Sequence, residues 1–239
     1  MPPEFALTPA MPEEQLLLPL QGRSDITLAD LPARAFAPVL SALAQLRAGQ
    51  LGEVCIWGAP GAGRSLLLSA FVSDVARDAG QAVLLPLRQV VFMPPEMLDG
   101  LESCPLIVLD DIEAVAGWPA WEEGLFNLYN RLQASGGRLL FSACTPPSGL
   151  PLQLPDLRSR LARASAHALP APDDDVLAEL LQIAATRRGW QLDADVTRYL
   201  LERAPRRLGA FMALIGRLEH RALQERRGIT VPLVRSLLD

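Results

Sequence analysis

The stretch Gly58-Ala59-Pro60-Gly61-Ala62-Gly63-Arg64-Ser65 stands between an apolar run, Val54–Trp57, and a helical pattern that extends from Leu66 to Ala79. A glycine-rich turn between a strand and a helix lets backbone amides point inward at an anion, and the helix N-terminus adds partial positive charge. The spacing is typical of a phosphate-binding loop, in which lysine normally precedes the final serine. Here that residue is Arg64, which is bulkier, planar and permanently charged.

A second motif supports this interpretation. Leu106-Ile107-Val108-Leu109-Asp110-Asp111 is an apolar strand that ends in two acids, one strand further along the chain. The pair of motifs predicts a nucleotide site in which Asp110, together with Ser65, holds Mg²⁺ and Asp111 polarises water. The loop residues expected to bind the cofactor, ADP or ATP, are Gly58, Pro60, Gly61, Ala62, Gly63, Arg64, Ser65 and Leu66.

Short apolar runs alternate with helical patterns over the middle of the chain, which indicates an α/β fold with a parallel five-stranded sheet covered on both faces. The predicted strands are Val54–Trp57, Val83–Leu87, Leu106–Leu109, Leu139–Ala143 and Ala166–Leu169, and the predicted helices between them are Ser65–Ala79, Pro94–Leu101 and Trp121–Ala134. After Pro170-Ala171-Pro172 the pattern predicts a small all-helical domain: one helix stops at Gly189, one starts at Asp193, and one ends near Arg227. Only Ile229–Val231 resembles a strand there. We therefore expect a tail at 1–22, a nucleotide-binding domain at 23–170 and a lid at 171–239.

The composition excludes several classes of protein. Acidic residues outnumber basic ones by 27 to 22, for a net charge of −5, which is the opposite of the balance in most free-standing DNA binders. No apolar run is long enough for a membrane helix, and the acidic N-terminus does not resemble a signal peptide. The three cysteines lie far apart and form no metal or redox spacing. The expectation is a soluble, reduced, cytoplasmic protein with no membrane partner.

Two further motifs, Leu125-Phe126-Asn127-Leu128-Tyr129-Asn130-Arg131 and Leu154-Pro155-Asp156-Leu157-Arg158-Ser159-Arg160-Leu161, complete a resemblance. From Gln15 onward the chain resembles the P-loop AAA+ replication initiators around DnaA, and in particular their short regulatory relatives of the Hda type. A phosphate-loop arginine is itself a feature of Hda-like sequences. The resemblance implies that Arg160 is an arginine finger, which acts on a nucleotide bound by another subunit.

The same resemblance places a nucleotide-contacting lid arginine, sensor 2, at Arg206, although the adjacent Arg207 leaves the register open by one residue. It places sensor 1, commonly an acid, at Cys144, with Ser142 and Thr145 as imperfect substitutes. A cysteine there argues against efficient hydrolysis by the chain's own site.

Near the N-terminus, Gln15-Leu16-Leu17-Leu18-Pro19-Leu20 resembles the peptide with which many bacterial proteins bind the DNA polymerase sliding clamp. Its expected contacts are Gln15, Leu16, Leu18, Pro19 and Leu20. The pattern alone favours a first strand or an apolar tether that packs on the domain, and the resemblance favours clamp binding. Since the sequence ends at Asp239, soon after the lid helices, we expect no helix-turn-helix domain and association with DNA only through the clamp.

Together these features predict a negative regulator of DNA replication initiation that promotes hydrolysis of DnaA-bound ATP in trans and has at most weak ATPase activity of its own. Its expected partners are a DnaA-type initiator, the sliding clamp and a second copy of itself that meets the finger surface. Two alternatives stay open: an AAA+ motor or helicase loader with its own hydrolysis cycle, and a clamp-associated adaptor without catalytic effect.

Overall fold

The computed structural model describes residues 27–238, and its central element is a five-stranded sheet. The strands are β1 (Glu53–Trp57), β2 (Val83–Pro86), β3 (Leu106–Asp110), β4 (Arg138–Ala143) and β5 (Ser165–Ala168). The helices are α1 (Ala33–Arg47), α2 (Arg64–Arg77), α3 (Leu87–Val90), α4 (Pro119–Ala134), α5 (Pro155–Leu161), α6 (Asp174–Arg188), α7 (Ala194–Arg203), α8 (Leu208–Glu225) and α9 (Val231–Leu238).

The sheet has the strand order β2-β3-β4-β1-β5, and every neighbouring pair is parallel. This confirms the predicted α/β class and all five predicted strands. Because parallel strands share one direction, the carboxyl ends of β1, β3 and β4 lie at the same edge of the sheet. That edge carries the phosphate loop after β1, the acid pair at the end of β3, and Cys144 after β4.

Alternate residues of the central strands β1, β3 and β4 enter two different cores, as the two-residue period of a strand requires. Val54 and Ile56 of β1 face a core shared with α1, α2 and the lid, whereas Cys55 faces a second core shared with α4 and α5. Residues of both cores are almost fully buried, which explains why the strands are apolar without a polar alternation. The first core is continuous with Leu208 and Phe211 of α8, so the lid packs directly on the sheet domain.

The lid consists of α6, α7, α8 and α9. Asp173 caps α6 by accepting a hydrogen bond from the Val176 amide, and Gly189 ends it in a left-handed conformation, as predicted. The lid is helical throughout its described part, as predicted, and the strand-like stretch Ile229–Val231 forms no strand, because Val231 begins α9. Ile229, Leu233 and Val234 are buried at helical spacing against the other lid helices, and the described part of the lid holds no strand with which they could pair.

The predicted helix Pro94–Leu101 is also wrong in extent. Two short 3₁₀ turns, Pro95–Leu98 and Leu101–Ser103, form in its place. Asp99 is extended and Gly100 has a φ of +82°, so the chain leaves the helical conformation after one turn. The helix predicted at Trp121–Ala134 begins two residues earlier, with Pro119 in its first turn.

Candidate functional site

The phosphate loop joins β1 to α2 with the geometry that an anion site requires. Gly61 and Gly63 have φ values of +94° and +99°, a region that side chains with a Cβ rarely enter. Within the described part of the chain, several amides of the loop and the first turn of α2 donate to no acceptor: those of Gly61, Gly63, Arg64, Ser65 and Leu66. These unpaired donors at a helix N-terminus fit the phosphates of a nucleotide.

The lid closes directly over this loop. The amide of Leu208, the first residue of α8, donates to the Gly61 carbonyl oxygen at 2.9 Å. A Cβ built on Gly63 would lie 2.3 Å from Cδ2 of Leu208, and one on Gly61 would lie 3.0 Å from Cγ of Arg207. Glycine is therefore required at Gly61 and Gly63 for two reasons: the backbone conformation and the close approach of the lid.

The lid residue beside the loop is Arg207, the second of the two registers that the sequence left open. Arg206, the sensor 2 residue named from the motif, instead forms an ion pair with Asp174 at the start of α6, and its side chain is half-exposed. The tripeptide Arg206-Arg207-Leu208 does not distinguish the two arginines, because both precede the helix and only the turn before α8 decides their directions.

The acids at the end of β3 have different environments. Asp110 is buried, and its Oδ1 accepts a hydrogen bond from the Ser142 hydroxyl at 2.5 Å. It also bonds to the Ser65 hydroxyl, which joins the phosphate loop to β3. Burial raises the pKa of Asp110, and the bonds to Ser142 and Ser65 oppose that rise. Ser65 and Asp110 thus already adjoin each other, as a site for phosphate-bound Mg²⁺ requires.

Asp111 is held in an uncommon conformation by three contacts. Its φ is +57°, and its amide donates to the Ser142 hydroxyl oxygen at 2.8 Å. Its Oδ1 accepts a bond from Nη2 of Arg64 at 2.7 Å, and its Oδ2 accepts one from Nε of Arg88 at 3.1 Å. Both carboxylate oxygens are therefore engaged by guanidinium groups of the same chain.

Arg64 does not extend away from the loop. Only 8% of its side chain is exposed, and its Nη1 donates to the carbonyl oxygen of Gly58 at 3.0 Å. The same nitrogen lies 3.8 Å from Oε1 of Glu113. The bulkier cation at the lysine position thus connects the first residue of the loop to the acids that follow β3.

The sensor 1 position holds no acid. Cys144 adjoins Glu113 and Arg64, and burial raises the pKa of its thiol, with Glu113 adding to the rise. Thr145 donates to the Gly149 carbonyl oxygen, whereas Ser142 bonds to Asp110 and to the Asp111 amide. Of the two substitutes that the sequence offered, only Ser142 reaches the acid pair.

Arg160 lies in the last turn of α5 and rests on aromatic rings of α4. Its guanidinium carbon is 4.9 Å from the centroid of the Phe126 ring and 5.4 Å from that of Tyr129. No carboxylate of residues 27–238 pairs with it, and Asp156 of the same helix does not reach it. The side chain is half-buried, so one surface of this cation faces outward.

The support beneath Arg160 is fixed by two acids. Glu53 at the start of β1 accepts hydrogen bonds from the Tyr129 hydroxyl and from the Gln133 amide. Burial, followed by the contact with Glu53, raises the pKa of Tyr129 to about 12, so the phenol stays protonated. Buried Glu122 accepts bonds from the amides of Gly117 and Leu154, at 3.0 and 2.6 Å, and so fixes the start of α5.

Sequence reasoning did not single out Arg88, Glu122 or Glu113 as site residues. Arg88 follows β2, and no local motif marks it; only the pairing of β2 with β3 brings it to Asp111. The predicted clamp peptide, Gln15–Leu20, lies outside the described residues. All three cysteines are free, and none of the helices in the described range is long and apolar enough to cross a membrane.

The comparisons with known proteins agree with this geometry. Residues 173–238 match the family model described as Hda, lid domain. The helical lid is therefore similar to the lid of Hda. The AAA+ fold itself is similar to domain III of the replication initiation protein DnaA from Thermotoga maritima, with a TM-score of 0.71 and 16% identity over 89% of this chain and 95% of that one.

Two further structures share the AAA+ fold. AMPPCP-bound DnaA from Aquifex aeolicus matches with a TM-score of 0.65 and 17% identity, over 82% of this chain and 68% of that chain. The RuvB Holliday junction branch migration motor from Thermotoga maritima matches with a TM-score of 0.61 and 19% identity, over 87% and 68%. At these identities the likeness establishes the fold alone.

Proposed function

We propose that this AAA+ protein is a negative regulator of replication initiation that promotes hydrolysis of ATP bound to a DnaA-type initiator. In this proposal Arg160 enters the partner's nucleotide site, and the peptide Gln15–Leu20 attaches the protein to the sliding clamp. The Hda-type lid supports the class of regulator. The protein works in the cytoplasm and reaches DNA only through the clamp.

The observation that carries the proposal is the state of Arg160. Its guanidinium lies on two aromatic faces and has no ion pair within the described residues. An aromatic surface holds a cation by a weak, non-directional attraction and leaves its N–H donors unused. Such an arginine keeps its donors for an anion outside the molecule, as a trans-acting finger requires.

The chain's own site is suited to bind a nucleotide. Unpaired loop amides are available for phosphates, and Ser65 and Asp110 are available for the accompanying Mg²⁺. A Mg²⁺ ion held by Ser65 and Asp110 would neutralise part of the phosphate charge. The protein's part is to hold the phosphates on the loop and to close the lid through Arg207 and Leu208.

The same site is poorly suited to fast hydrolysis. Both oxygens of Asp111 are bonded to arginines, so the carboxylate that would orient water is already engaged. Cys144 stands where a polar sensor is expected, and burial keeps its thiol protonated. We therefore propose that ADP or ATP bound here sets the conformation of the lid and is not hydrolysed to drive a mechanical cycle.

The decisive experiment measures ATP turnover by DnaA in the presence of DNA-loaded clamp and this protein. We expect Arg160→Ala to lower the stimulated rate by about 100-fold or more, because fingers in related systems contribute about 10³–10⁵. The matched control is Arg158→Ala, which removes an exposed arginine from the same helix and should leave the rate near the wild-type value. Equal stimulation by wild type and Arg160→Ala would exclude the finger role.

A separate experiment tests the tail. Replacing Gln15, Leu16 and Leu20 by alanine should abolish retention on immobilised clamp and leave nucleotide binding unchanged. Undiminished retention would exclude the clamp contact.

The two alternatives predict different outcomes in the same assays. A motor or loader would hydrolyse ATP rapidly without DnaA, and an adaptor would bind clamp without changing turnover by DnaA. The engaged state of Asp111 disfavours the motor.

A further inference from the structure

A cluster of opposite charges borders the phosphate loop, and its outermost member is Arg88. Three carboxylates, those of Asp110, Asp111 and Glu113, lie beside the guanidinium groups of Arg64 and Arg88. Two cations thus face three acids at the place where phosphates would add further negative charge. Removal of either cation would leave the acids in clear excess.

Arg88 reaches this cluster from a part of the fold that neither sequence motif includes. It lies in α3, which follows β2 and packs against the turn Ile112–Val115 after Asp111. Its side chain is 65% exposed, yet its Nε donates to Oδ2 of Asp111 at 3.1 Å. That bond is the first cause of the raised pKa of Arg88.

The two carboxylate oxygens of Asp111 bond to different arginines, Oδ1 to Arg64 and Oδ2 to Arg88. Since Arg88 takes Oδ2 of Asp111, Arg64 bonds only to Oδ1 and cannot form the paired, side-by-side contact that arginine prefers with a free carboxylate. Arg64 commits one more donor to the Gly58 carbonyl oxygen. A guanidinium has five N–H donors, so Arg64 retains donors for a phosphate.

We propose that Arg88 is a positioning residue of the nucleotide site, which holds Asp111 away from full pairing with Arg64 and thereby preserves affinity for nucleoside di- and triphosphates. Without Arg88, Asp111 would take two donors of Arg64 and its negative charge would lack a second counter-ion. Both effects oppose phosphate binding. The inference rests on the proposed nucleotide binding, and it assigns a role to a residue outside both motifs.

The test is calorimetric titration of the full chain with Mg-ADP and with Mg-ATP, for four variants beside wild type. Arg88→Gln should weaken binding of Mg-ADP about tenfold, the effect of one charge-assisted bond, and of Mg-ATP more strongly. Arg88→Lys should recover part of that loss because it keeps the charge. The double variant Arg88→Gln with Asp111→Asn should bind more tightly than Arg88→Gln alone, because it removes the acid that Arg88 restrains.

The matched control is Arg198→Gln, which removes another strongly exposed arginine, on α7, that is ion-paired to the exposed Asp195. Its affinity for nucleotide should equal that of wild type. A purely structural role for Arg88 would lower the melting temperature of the nucleotide-free protein and would not be rescued by Asp111→Asn. Thermal unfolding of each nucleotide-free variant therefore accompanies the titration.

The outcomes separate this inference from the proposed function. If wild type binds Mg-ADP and Arg88→Gln binds it equally well, the role of Arg88 is overturned while the finger proposal stands. If adding Asp111→Asn to Arg88→Gln does not raise the affinity for Mg-ADP, the role of Arg88 is overturned as well. If wild type binds neither nucleotide, the proposed nucleotide binding fails and the role of Arg88 fails with it.

Discussion

Replacing Gly63 by alanine tests directly whether the lid rests on the phosphate loop. Gly63 has a φ of +99°, so the substitution forces an alanine into a left-handed conformation at a cost of about 1–2 kcal/mol. The new Cβ would lie 2.3 Å from Cδ2 of Leu208, whose side chain is fully buried. Displacing that side chain would sacrifice about 1.5–3 kcal/mol of burial. We expect a total loss of about 2.5–5 kcal/mol in the free energy of unfolding.

The control is Gly100→Ala. Gly100 has a φ of +82°, and nothing lies within 4 Å of the position that its Cβ would take, so this variant has the backbone strain without the collision. It should lose only about 1–2 kcal/mol. In thermal unfolding the melting temperature should fall by ~10 °C for Gly63→Ala and by a few degrees for Gly100→Ala. Equal losses in the two variants would refute the contact between Leu208 and the loop.

Three other variants or treatments probe the site. Phe126→Leu should lower the stimulation of ATP turnover by DnaA severalfold without unfolding the protein, because Arg160 loses one of its two aromatic contacts. Unchanged stimulation would show that the Phe126 ring does not position Arg160. Glu122→Ala should lower the free energy of unfolding, measured in urea, by about 2–4 kcal/mol, because the backbone amides of Gly117 and Leu154 lose their acceptor. A loss under about 1 kcal/mol would contradict the role of Glu122 in capping α5. Cys55 is fully buried, and burial raises the pKa of its thiol to about 12, so at about pH 8 roughly one molecule in ten thousand carries the thiolate. The thiol should therefore react with iodoacetamide only after the protein unfolds. Rapid labelling of the native protein would contradict the burial of Cys55.

The sheet could be predicted from the sequence because its central strands, β1, β3 and β4, are buried on both faces. Continuous apolar runs such as Leu106–Leu109 indicate buried parallel strands when glycine-rich turns and helical patterns separate them. The lid helices were also predictable, since Asp173 and Gly189 are strong local cap signals. Ile229–Val231 resembles a strand because its residues are β-branched, yet packing among the lid helices imposes a helix from Val231 onward.

Only part of the candidate nucleotide site could be predicted from the sequence. Each phosphate-site motif lies on a single strand–turn segment, and the two motifs together predict that Ser65 and Asp110 meet at one edge of a parallel sheet. Other contacts between separate segments are not marked by any motif. The pairing of β2 with β3 brings Arg88 to Asp111, and the turn before α8 places Arg207 on Gly61. Asp111, predicted to polarise water, proves to be bonded to two arginines, which a linear motif cannot reveal.

The central claim, that Arg160 completes a nucleotide site in another molecule, is tested most directly by single-turnover release of labelled phosphate. DnaA is loaded with γ-labelled ATP, and this protein is loaded separately with unlabelled ADP, so every labelled phosphate originates on the initiator. With clamp present, wild type should accelerate release strongly and Arg160→Ala should leave it at the rate of DnaA alone. Identical acceleration by both proteins would contradict the claim.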